Sequence, residues 1–344
     1  MLNKTNPDSK NPPCEVRSSV LQDNYHRQIT YLRVSVTDRC NLRCRYCMPE
    51  QGIPLRTQSE LLSWKEMERL VQIFTELGIR KVRLTGGEPF VRKGILDFLA
   101  KLCTRPELSG VYVTTNGIGV DRFVPRLKEM GISGINLSLD TLRGDRFRLL
   151  ARRDAFEQVM ATFNSIIKQR IPLKINAVIQ EGWNTDEIIP LSQIAERFPV
   201  EVRFIETMPF RGSSARMRST RTADSIRKVL LDYYGDMKQI PNGQSTAKVY
   251  RIPYFQGKIG IIAGYSRLFC GSCNRIRITP AGRLKTCLYG EGVLNLKSLI
   301  RRQAADDEIK EAVRRAVFAR RRNGFQAAWS RVGSITESMA AIGG

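Results

Sequence analysis

Hydrophobic and polar residues follow two recurring patterns along most of this chain. Short runs rich in β-branched and aromatic residues indicate strands, and longer stretches with apolar residues at spacings of three and four indicate helices. The clearest helical pattern begins with a capping box at Ser63 and stops at Gly78. The predicted strands cover 31–36, 81–86, 110–116, 134–140, 172–180 and 201–206. The predicted helices cover 61–77, 94–103, 121–130, 154–170, 186–198 and 222–234.

Strands that alternate with helices predict an α/β fold, a parallel sheet with helices outside it. Six βα units are fewer than the eight of a closed barrel, so we prefer a partial (βα)6 TIM-like barrel, open along one side, to a doubly wound sheet. After residue 235, two strands at 248–253 and 258–264 and a basic helical stretch at 308–322 predict a smaller C-terminal α+β region. The predicted units are a polar arm at 1–28, the barrel at 29–235 and the C-terminal region at 236–344.

The composition is that of an ordinary globular protein, with 42% hydrophobic and 26% charged residues. No stretch approaches the roughly 18 consecutive apolar residues of a membrane helix. The first 28 residues lack the apolar segment of a secretory signal. We therefore expect a soluble, cytoplasmic protein.

The net charge of +23 suits a polyanionic partner, which could be nucleic acid, an anionic membrane surface or a nucleoside triphosphate. A solvated basic surface without a specific partner explains the charge equally well, so charge alone does not decide. The single histidine, His26, lies in the polar N-terminal stretch. This disfavours serine–histidine triads and His-rich zinc sites, and we expect His26 to be an ordinary surface residue.

Directly after the first strand, Cys40, Cys44 and Cys47 have a C-x3-C-x2-C spacing. Without a secretion signal, clustered cysteines more often bind metal than form disulfides. Three thiolates on a short loop can hold three corners of a [4Fe–4S] cluster and leave the fourth iron open to a small molecule. The alternative is a structural zinc site, which would need a fourth ligand that is not found nearby.

A second group near the C-terminus consists of Cys270, Cys273 and Cys287. Three thiolates without a fourth again suggest a cluster with an open iron. Zinc is a less remote alternative here, because a distant Cys14 or Cys103 could complete the site, although both look adventitious.

The first cysteine spacing, with Tyr46 before the last cysteine, resembles the signature of the radical S-adenosylmethionine superfamily. The resemblance implies that S-adenosylmethionine chelates the open iron and is cleaved reductively to a 5′-deoxyadenosyl radical. The second strand ends in Gly86-Gly87-Glu88-Pro89, similar to the superfamily's segment for the methionyl amino group, and glycines let the backbone approach a ligand closely. The implied S-adenosylmethionine contacts are Tyr46, Gly87, Ser138 and Met208.

The pairing of both cysteine spacings, with Arg275-Ile276-Arg277 and a terminal Gly343-Gly344, resembles the GTP 3′,8-cyclase family of molybdenum-cofactor biosynthesis. The resemblance runs from about residue 29 to the end and includes LRVSVTDRCNLRCRYCMP, VRLTGGEP, TTNG, INLSLD and RFIETM. It implies two [4Fe–4S] clusters, S-adenosylmethionine and GTP. The radical would remove the ribose 3′-hydrogen, and C3′ would add to guanine C8, giving 3′,8-cyclo-7,8-dihydro-GTP. The second cluster's open iron would hold the guanine.

The same resemblance implies the residues that hold the substrate. The implied GTP-binding residues are Arg33, Arg83, Thr114, Lys174, Arg275, Ile276 and Arg277, with Lys81 and Arg203 as additions. The implied catalytic residues are Arg275, Arg277, Gly343 and Gly344, the glycines in a tail that reaches the active site. Independently, core strands normally avoid Lys and Arg, yet four of the six strands carry one at an interior position, which together indicate an anion site. The N-terminal arm departs from the family, in which a glycine is expected near His26.

The implied partners are an electron donor and, by pathway, cyclic pyranopterin monophosphate synthase; a homodimer could form, and neither membrane nor nucleic acid is expected. Two other interpretations stay open. An iron–sulfur RNA-binding protein would use the charge along a nucleic-acid backbone and need aromatic platforms for bases, but only 8% of the residues are aromatic. A peptide-modifying radical enzyme would need a peptide groove and gives no reason for the basic strand residues.

Overall fold

The computed structural model describes residues 20–208, 210, 222–243, 245–267, 269–331 and 337–343. The strands in these residues form one sheet, and its first six strands are the predicted ones. These six are Tyr31–Ser35 (β1), Lys81–Thr85 (β2), Gly110–Thr115 (β3), Gly134–Ser138 (β4), Leu173–Ile179 (β5) and Glu201–Glu206 (β6). The others are Lys238–Ile240 (β7), Ala247–Arg251 (β8), Lys258–Ile262 (β9), Arg275–Ile278 (β10), Arg283–Lys285 (β11) and Leu294–Asn295 (β12).

The order in the sheet is β12-β11-β10-β1-β2-β3-β4-β5-β6-β9-β8-β7. The strands from β10 to β9 in this order run parallel, and antiparallel strands extend both edges. The predicted parallel sheet is therefore confirmed, and it is wider than expected because β10 and β9 extend it on either side. The sheet continues across the predicted domain boundary at residue 235, and the position of that boundary stays a prediction.

Helices connect the parallel strands and cover the outside of the sheet. They are Trp64–Glu76 (α1), Ile95–Cys103 (α2), Val124–Glu129 (α3), Gly144–Ala151 (α4), Phe156–Lys168 (α5), Ile188–Arg197 (α6), Ala223–Tyr234 (α7), Leu296–Arg301 (α8), Asp306–Phe318 (α9), Gly324–Trp329 (α10) and Met339–Ile342 (α11). The short helices α4, α8, α10 and α11 were not predicted. Helix α9 ends before the predicted residue 322, because the chain turns inward and the side chain of Arg320 is buried. Every helix in the described ranges is too short or too polar to span a bilayer.

Helix α1 illustrates how the sequence pattern specifies an element. The Ser63 hydroxyl accepts a hydrogen bond from Glu66 N at 3.2 Å, and the Glu66 carboxylate accepts one from Ser63 N at 2.6 Å. Met67, Leu70 and Phe74 lie on the opposite face and are fully buried. Burying each such side chain stabilises the fold by about 1.5–3 kcal/mol.

The register of the sheet places polar side chains of neighbouring strands side by side. Arg33 on β1 pairs with Arg277 on β10 and with Arg83 on β2, and Arg83 pairs with Tyr112 on β3. Because side chains alternate between the two faces of a strand, residues such as Leu32 point to the helices instead. The inner face of the barrel is therefore basic, whereas its outer face is apolar.

Candidate active site

A cavity of about 590 Å³ lies on the inner face of the sheet and reaches the carboxyl ends of the strands. This volume is within the usual range of small-ligand sites, about 300–1,000 Å³. The predicted site residues that line it are Arg33, Cys40, Cys44, Tyr46, Cys47, Lys81, Arg83, Gly87, Thr114, Ser138, Lys174, Arg203, Met208, Cys270, Cys273, Arg275, Arg277 and Cys287. The fold thus brings both cysteine groups and the basic strand residues to one space.

The first cysteine group lies on a loop that is fixed by its own backbone. Cys47 N and Met48 N donate to the Cys44 carbonyl at 2.9 and 3.1 Å, and Leu42 N donates to Cys40 Sγ at 3.4 Å. The buried side chains of Leu42 and Met48 anchor the loop in the protein, while the three thiols line the cavity.

These thiols are shielded from water. Burial raises the pKa of Cys40 to about 11, and burial together with the neighbouring Cys40 raises the pKa of Cys47 to about 12. A metal centre would supply the positive charge that thiolates need in such surroundings. In the described part of the chain, no three His, Cys, Asp or Glu side chains are grouped tightly enough to hold a single ion. A structural zinc ion almost always has four protein ligands, whereas this loop offers three thiols.

The Gly86-Gly87 segment packs on the backbone of the first cysteine loop. Gly87 N donates to the Thr37 carbonyl and Glu88 N to the Arg39 carbonyl, both at 2.8 Å. A Cβ atom on Gly87 would lie 2.2 Å from the Arg39 carbonyl oxygen, which no side chain tolerates. Glycine is therefore required here for contact between two loops, in addition to any approach of a ligand.

Glu88, which follows β2, ties the same region to the end of β3. Its carboxylate accepts hydrogen bonds from the Thr115 hydroxyl at 2.9 Å and from Asn116 N at 2.7 Å, and burial raises its pKa to about 7. The Asn116 amide in turn donates to Asn41 Oδ1 at 2.7 Å and to Cys40 Sγ at 3.7 Å. The TTNG segment therefore positions the cysteine loop.

Three predicted S-adenosylmethionine contacts, Tyr46, Ser138 and Met208, line the cavity from different elements. The Tyr46 hydroxyl donates to the carboxylate of Asp140, and burial raises the pKa of Asp140 to about 6. Asp140 was not predicted as a site residue. The sequence feature that could have indicated Asp140 is its position: it is an acidic residue two positions after Ser138, at the end of a buried strand, where ligand-binding side chains collect.

The second cysteine group lies where the N-terminal segment meets the C-terminal helices. Arg27 donates to the Cys270 carbonyl at 2.7 Å, and Arg320 donates to the Cys273 carbonyl at 2.9 Å. Burial would raise the pKa of Cys273, but neighbouring cations, Arg320 first, outweigh it and lower that pKa. Cys287 follows β11 and completes the trio. Sequence reasoning missed both arginines, since no local pattern marks them.

Of the two isolated cysteines, the one that the structure describes, Cys103, does not join this group. Cys103 ends α2 and is not part of the cavity wall. Cys14 lies outside the described residues.

His26 lies at a turn of the N-terminal arm, near the position where the family resemblance predicts a glycine. His26 is exposed and has a φ of 60°, in the left-handed region that favours glycine. The turn is kept because the Asp23 carboxylate accepts hydrogen bonds from Tyr25 N and Arg27 N, both at 3.0 Å, and from Arg27 Nε at 2.6 Å. The arm therefore retains the geometry that places Arg27 at the second cysteine group.

Arginines concentrate on the inner face of β10, β1 and β2. Burial, followed by the neighbouring Arg277, lowers the pKa of Arg33 well below its usual value. Burial, followed by Arg275, lowers the pKa of Arg277 to about 10. Cations that are brought together away from water repel each other, so an anion bound among them would relieve an unfavourable charge.

The phenol of Tyr31 lies among these arginines. Arg83 Nε donates to its oxygen at 2.5 Å. Burial alone would raise the pKa of Tyr31, but three neighbouring cations outweigh burial and lower it to about 7. These cations are Arg83, Arg33 and Arg275. Tyr31 was not predicted, although it lies two residues before Arg33 and so shares its face of the strand.

The remaining predicted anion contacts are partly neutralised. Glu201 forms ion pairs with Lys174 at 2.8 Å and with Arg203 at 2.6 Å. The Thr114 hydroxyl accepts a long hydrogen bond from Arg83 at 3.4 Å. These residues extend the basic surface, while the strongest accumulation of positive charge stays at the arginines.

Ile276 differs from the other predicted GTP-binding residues. It is fully buried in the apolar core, on the face of β10 opposite to Arg275 and Arg277, and it does not line the cavity. Its side chain points away from the cavity, because alternate residues of a strand point to opposite faces, and the prediction that Ile276 contacts GTP stays a prediction.

The C-terminal tail reaches the cavity between the two cysteine groups. The Ser338 hydroxyl donates to the Cys47 carbonyl at 2.7 Å, and Arg277 donates to the Gly343 carbonyl. Gly343 is buried and has a φ of 81°. Gly344 lies outside the described residues.

An ion pair anchors the start of this tail. Lys285, whose side chain is fully buried on β11, pairs with Glu337 at 2.5 Å, and Arg331 lies 3.2 Å from the same carboxylate oxygen. None of these residues was predicted, and Lys285 and Glu337 pair across some fifty residues of sequence.

Comparison with known proteins shows which family the chain belongs to. The pattern of the Radical SAM superfamily matches residues 34–193, and that of Molybdenum Cofactor Synthesis C matches residues 200–326. The GTP 3′,8-cyclase of Heliobacterium modesticaldum is 40% identical over 303 residues, which cover 87% of this chain and 92% of that protein. The chain belongs to the GTP 3′,8-cyclase family. The family's protein from Syntrophomonas wolfei is 41% identical over 294 residues, with coverage of 84% and 90%.

The chain shares the radical S-adenosylmethionine domain of this family, which implies iron–sulfur clusters. Molybdenum cofactor biosynthesis protein 1 of Homo sapiens is 40% identical over 307 residues, 89% of this chain and 48% of that protein. The chain therefore spans about half the length of such relatives. Among solved structures, SuiB of Streptococcus suis superposes with a TM-score of 0.58 at 15% identity, over 77% of this chain and 62% of SuiB. Its complex with S-adenosylmethionine has the same TM-score at 16% identity, over 83% and 68%. At this identity the likeness is one of fold, and it supports the partial barrel.

Proposed function

We propose that this chain converts GTP to 3′,8-cyclo-7,8-dihydro-GTP, the first step of molybdenum-cofactor biosynthesis. The observation that carries the proposal is that both cysteine groups and the row of inward-facing arginines line one cavity. A substrate held by the arginines would therefore lie between two metal-binding loops, within reach of both.

The donor sets fit two [4Fe–4S] clusters. Each group offers three thiols that face the common cavity, which leaves one iron of each cluster open to a small molecule. The residues that would hold them are Cys40, Cys44 and Cys47 for the first cluster and Cys270, Cys273 and Cys287 for the second. When bound at the first cluster, S-adenosylmethionine supplies a carbon-centred radical that can abstract a ribose hydrogen. Tyr46, Gly87, Ser138 and Met208 would wall its binding site.

The arginine row would bind the triphosphate. Arg33, Arg83 and Arg277 are neighbours in the register and present their guanidinium groups to the cavity. Arginine donates paired hydrogen bonds to phosphate oxygens, and these bonds are strong where water is excluded. With the triphosphate fixed here and the guanine at the second cysteine group, the ribose would be held in one orientation, so the 3′-hydrogen is the one presented.

The tail would complete the active site. Arg277 donates to Gly343, so the same guanidinium contacts the tail and faces the substrate. We infer that the tail, including Gly344, positions the substrate rather than binding the metal centres. Arg277 would thereby couple substrate binding to the observed position of the tail, and Arg275 would contact the substrate from the same face of β10.

The proposal also covers the reductant, the location and the partners of the enzyme. A reductant is required, because one electron is needed to break the S–C5′ bond and another to reduce the base radical after cyclisation. We infer a cytoplasmic location, transfer of the product to cyclic pyranopterin monophosphate synthase and formation of a homodimer. The inward direction of the arginines disfavours an RNA-binding protein, whose charges would follow an exposed path.

Anaerobic turnover with dithionite tests the proposed reaction. The reconstituted protein, GTP and S-adenosylmethionine should give 5′-deoxyadenosine and a cyclised nucleotide that is an isomer of GTP, because the 3′-hydrogen that is lost is balanced by the one electron and one proton that reduce the base radical; the product therefore has the mass of GTP and is separated from it by chromatography. ATP is the matched control, since it shares the triphosphate but not the guanine. Deoxyadenosine without a nucleotide product, or equal conversion of ATP, would contradict the proposal.

A further inference from the structure

A group of arginines covers the outside of the first cysteine loop. Arg143 and Arg146, close by on α4 or at its start, are paired with acids such as Asp145 and Asp186. By contrast, six further arginines form no salt bridge with any carboxylate in the described ranges. These six, which we call the arginine surface, are Arg39, Arg43, Arg45, Arg148, Arg152 and Arg153. No carboxylate in the described ranges therefore neutralises their charge.

The arginine surface is continuous with the cysteine loop. Arg43 N donates to the Ala151 carbonyl and Arg45 N to the Leu150 carbonyl, both at 3.0 Å. Arg152 donates to the Arg43 carbonyl at 3.3 Å. The end of α4 thus lies directly against the loop whose thiols face the cavity, and the surface forms the outer side of that loop.

Apolar side chains accompany the charge. Leu149 lies between the arginines of α4 and is 55% exposed. The guanidinium of Arg45 lies over the ring of Trp183, 4.2 Å from its centroid. Arginine with exposed apolar and aromatic groups is typical of protein–protein interfaces. A single-stranded nucleic acid would instead need open aromatic faces for its bases, and the face of Trp183 is covered.

We propose that the arginine surface is the docking site of an acidic protein that donates single electrons. This inference rests on the proposed function, which requires a reductant. The donor is oxidised by one electron; that electron reaches the sulfonium of S-adenosylmethionine, whose S–C5′ bond breaks to give methionine and the carbon-centred radical. A donor docked on the outer side of the loop reaches the first cysteine group while the cavity on the inner side holds GTP.

Charge reversal at two exposed positions tests the surface. Arg148→Glu with Arg153→Glu changes neither the cavity nor the cysteine loop. The matched control is Arg227→Glu with Lys228→Glu on α7, which makes the same change in net charge at exposed positions of a helix that packs on α6 and β6. The probe is a reduced plant-type ferredoxin, an acidic donor with a potential of about −400 mV.

Two readouts are compared on the cluster-loaded protein. Ferredoxin binding is measured by interferometry at low and high salt, and deoxyadenosine formation is measured with ferredoxin or with dithionite as the reductant. R148E/R153E should bind ferredoxin at least about tenfold more weakly and lose ferredoxin-driven turnover, with dithionite-driven turnover unchanged. The α7 control should change binding by less than about twofold. Arg148→Gln with Arg153→Gln should give an intermediate loss, as expected of an electrostatic effect in a folded protein.

The proposal is overturned by unchanged ferredoxin binding in R148E/R153E, by equal losses in the α7 control, or by a parallel loss of dithionite-driven turnover. It is also overturned if single-stranded RNA binds at these arginines while ferredoxin binding does not depend on them. Because ferredoxin binding is measured without GTP, these outcomes are distinct from a failure of the proposed cyclisation.

Discussion

Replacement of Gly343 by alanine perturbs the tail at one point of close contact. Gly343 has a φ of 81°, and its carbonyl accepts a hydrogen bond from Arg277. A Cβ atom added here would lie 2.5 Å from Thr85 Oγ1 and 2.8 Å from Ser35 Cβ. Either the ends of β1 and β2 must yield or the tail must leave the cavity.

The size of the effect follows from two terms. An L-residue in the left-handed conformation costs about 1–2 kcal/mol, and overpacking costs about 1–3 kcal/mol. Together, about 2–5 kcal/mol would act against the observed tail position, at least about a 30-fold change in its population. Because α11 has only four residues, we expect the tail to detach while the barrel stays folded.

The assay is the ratio of cyclised product to 5′-deoxyadenosine under anaerobic conditions. Gly343→Ala should retain deoxyadenosine formation and the iron content of both clusters, but lower this ratio at least about tenfold. Gly119→Ala is the matched control, because Gly119 has a φ of 65° with no atom within 4 Å of an added Cβ. It should lower stability by about 1–2 kcal/mol and leave the ratio unchanged. A wild-type ratio in Gly343→Ala would refute a positioning role for the tail.

Three further changes test other parts of the site. Arg277→Ala should weaken GTP binding roughly ten- to hundredfold, because a charge-assisted hydrogen bond of about 1.5–3 kcal/mol is lost. S-adenosylmethionine binding should stay nearly unaltered. Unchanged GTP affinity would contradict this prediction. His26→Gly should raise the free energy of unfolding by about 0.5–1 kcal/mol in denaturant titrations, because it relieves the left-handed φ; a lower stability would count against it. Since the pKa of Tyr31 is about 7, a bound triphosphate that offsets the arginines should raise it, so GTP binding should take up a proton and weaken as the pH rises above 7. Calorimetry in buffers of different ionisation enthalpy should detect this uptake, and Tyr31→Phe should abolish it.

The sequence predicted the parallel part of the fold well, because buried parallel strands appear as apolar runs separated by amphipathic helices. Strand β10 was missed, since it has only four residues and alternates arginine with isoleucine. Its pairing partner β1 lies some 240 residues away, and no local pattern reports such a distance. The same long-range pairing brings Arg277 next to Arg33.

The metal-binding residues could be predicted because their spacing is local, whereas the residues that support them come from distant segments. Arg320 belonged to a stretch that looked like a solvated helix, but α9 ends before it and its side chain turns inward to the Cys273 carbonyl. Asp140 and Tyr31 carry side chains that are common in strand ends. Only the fold shows that both line the cavity.

The central proposal, that a radical formed at the first cysteine group takes the 3′-hydrogen of GTP held near the second, is tested most directly by isotope transfer. GTP labelled with deuterium at C3′ is turned over anaerobically, and the 5′-deoxyadenosine is examined by mass spectrometry. We predict that one deuterium appears in 5′-deoxyadenosine from this substrate and none from GTP labelled at C2′. Unlabelled 5′-deoxyadenosine alongside the cyclised product, or transfer from C2′, would contradict the proposal.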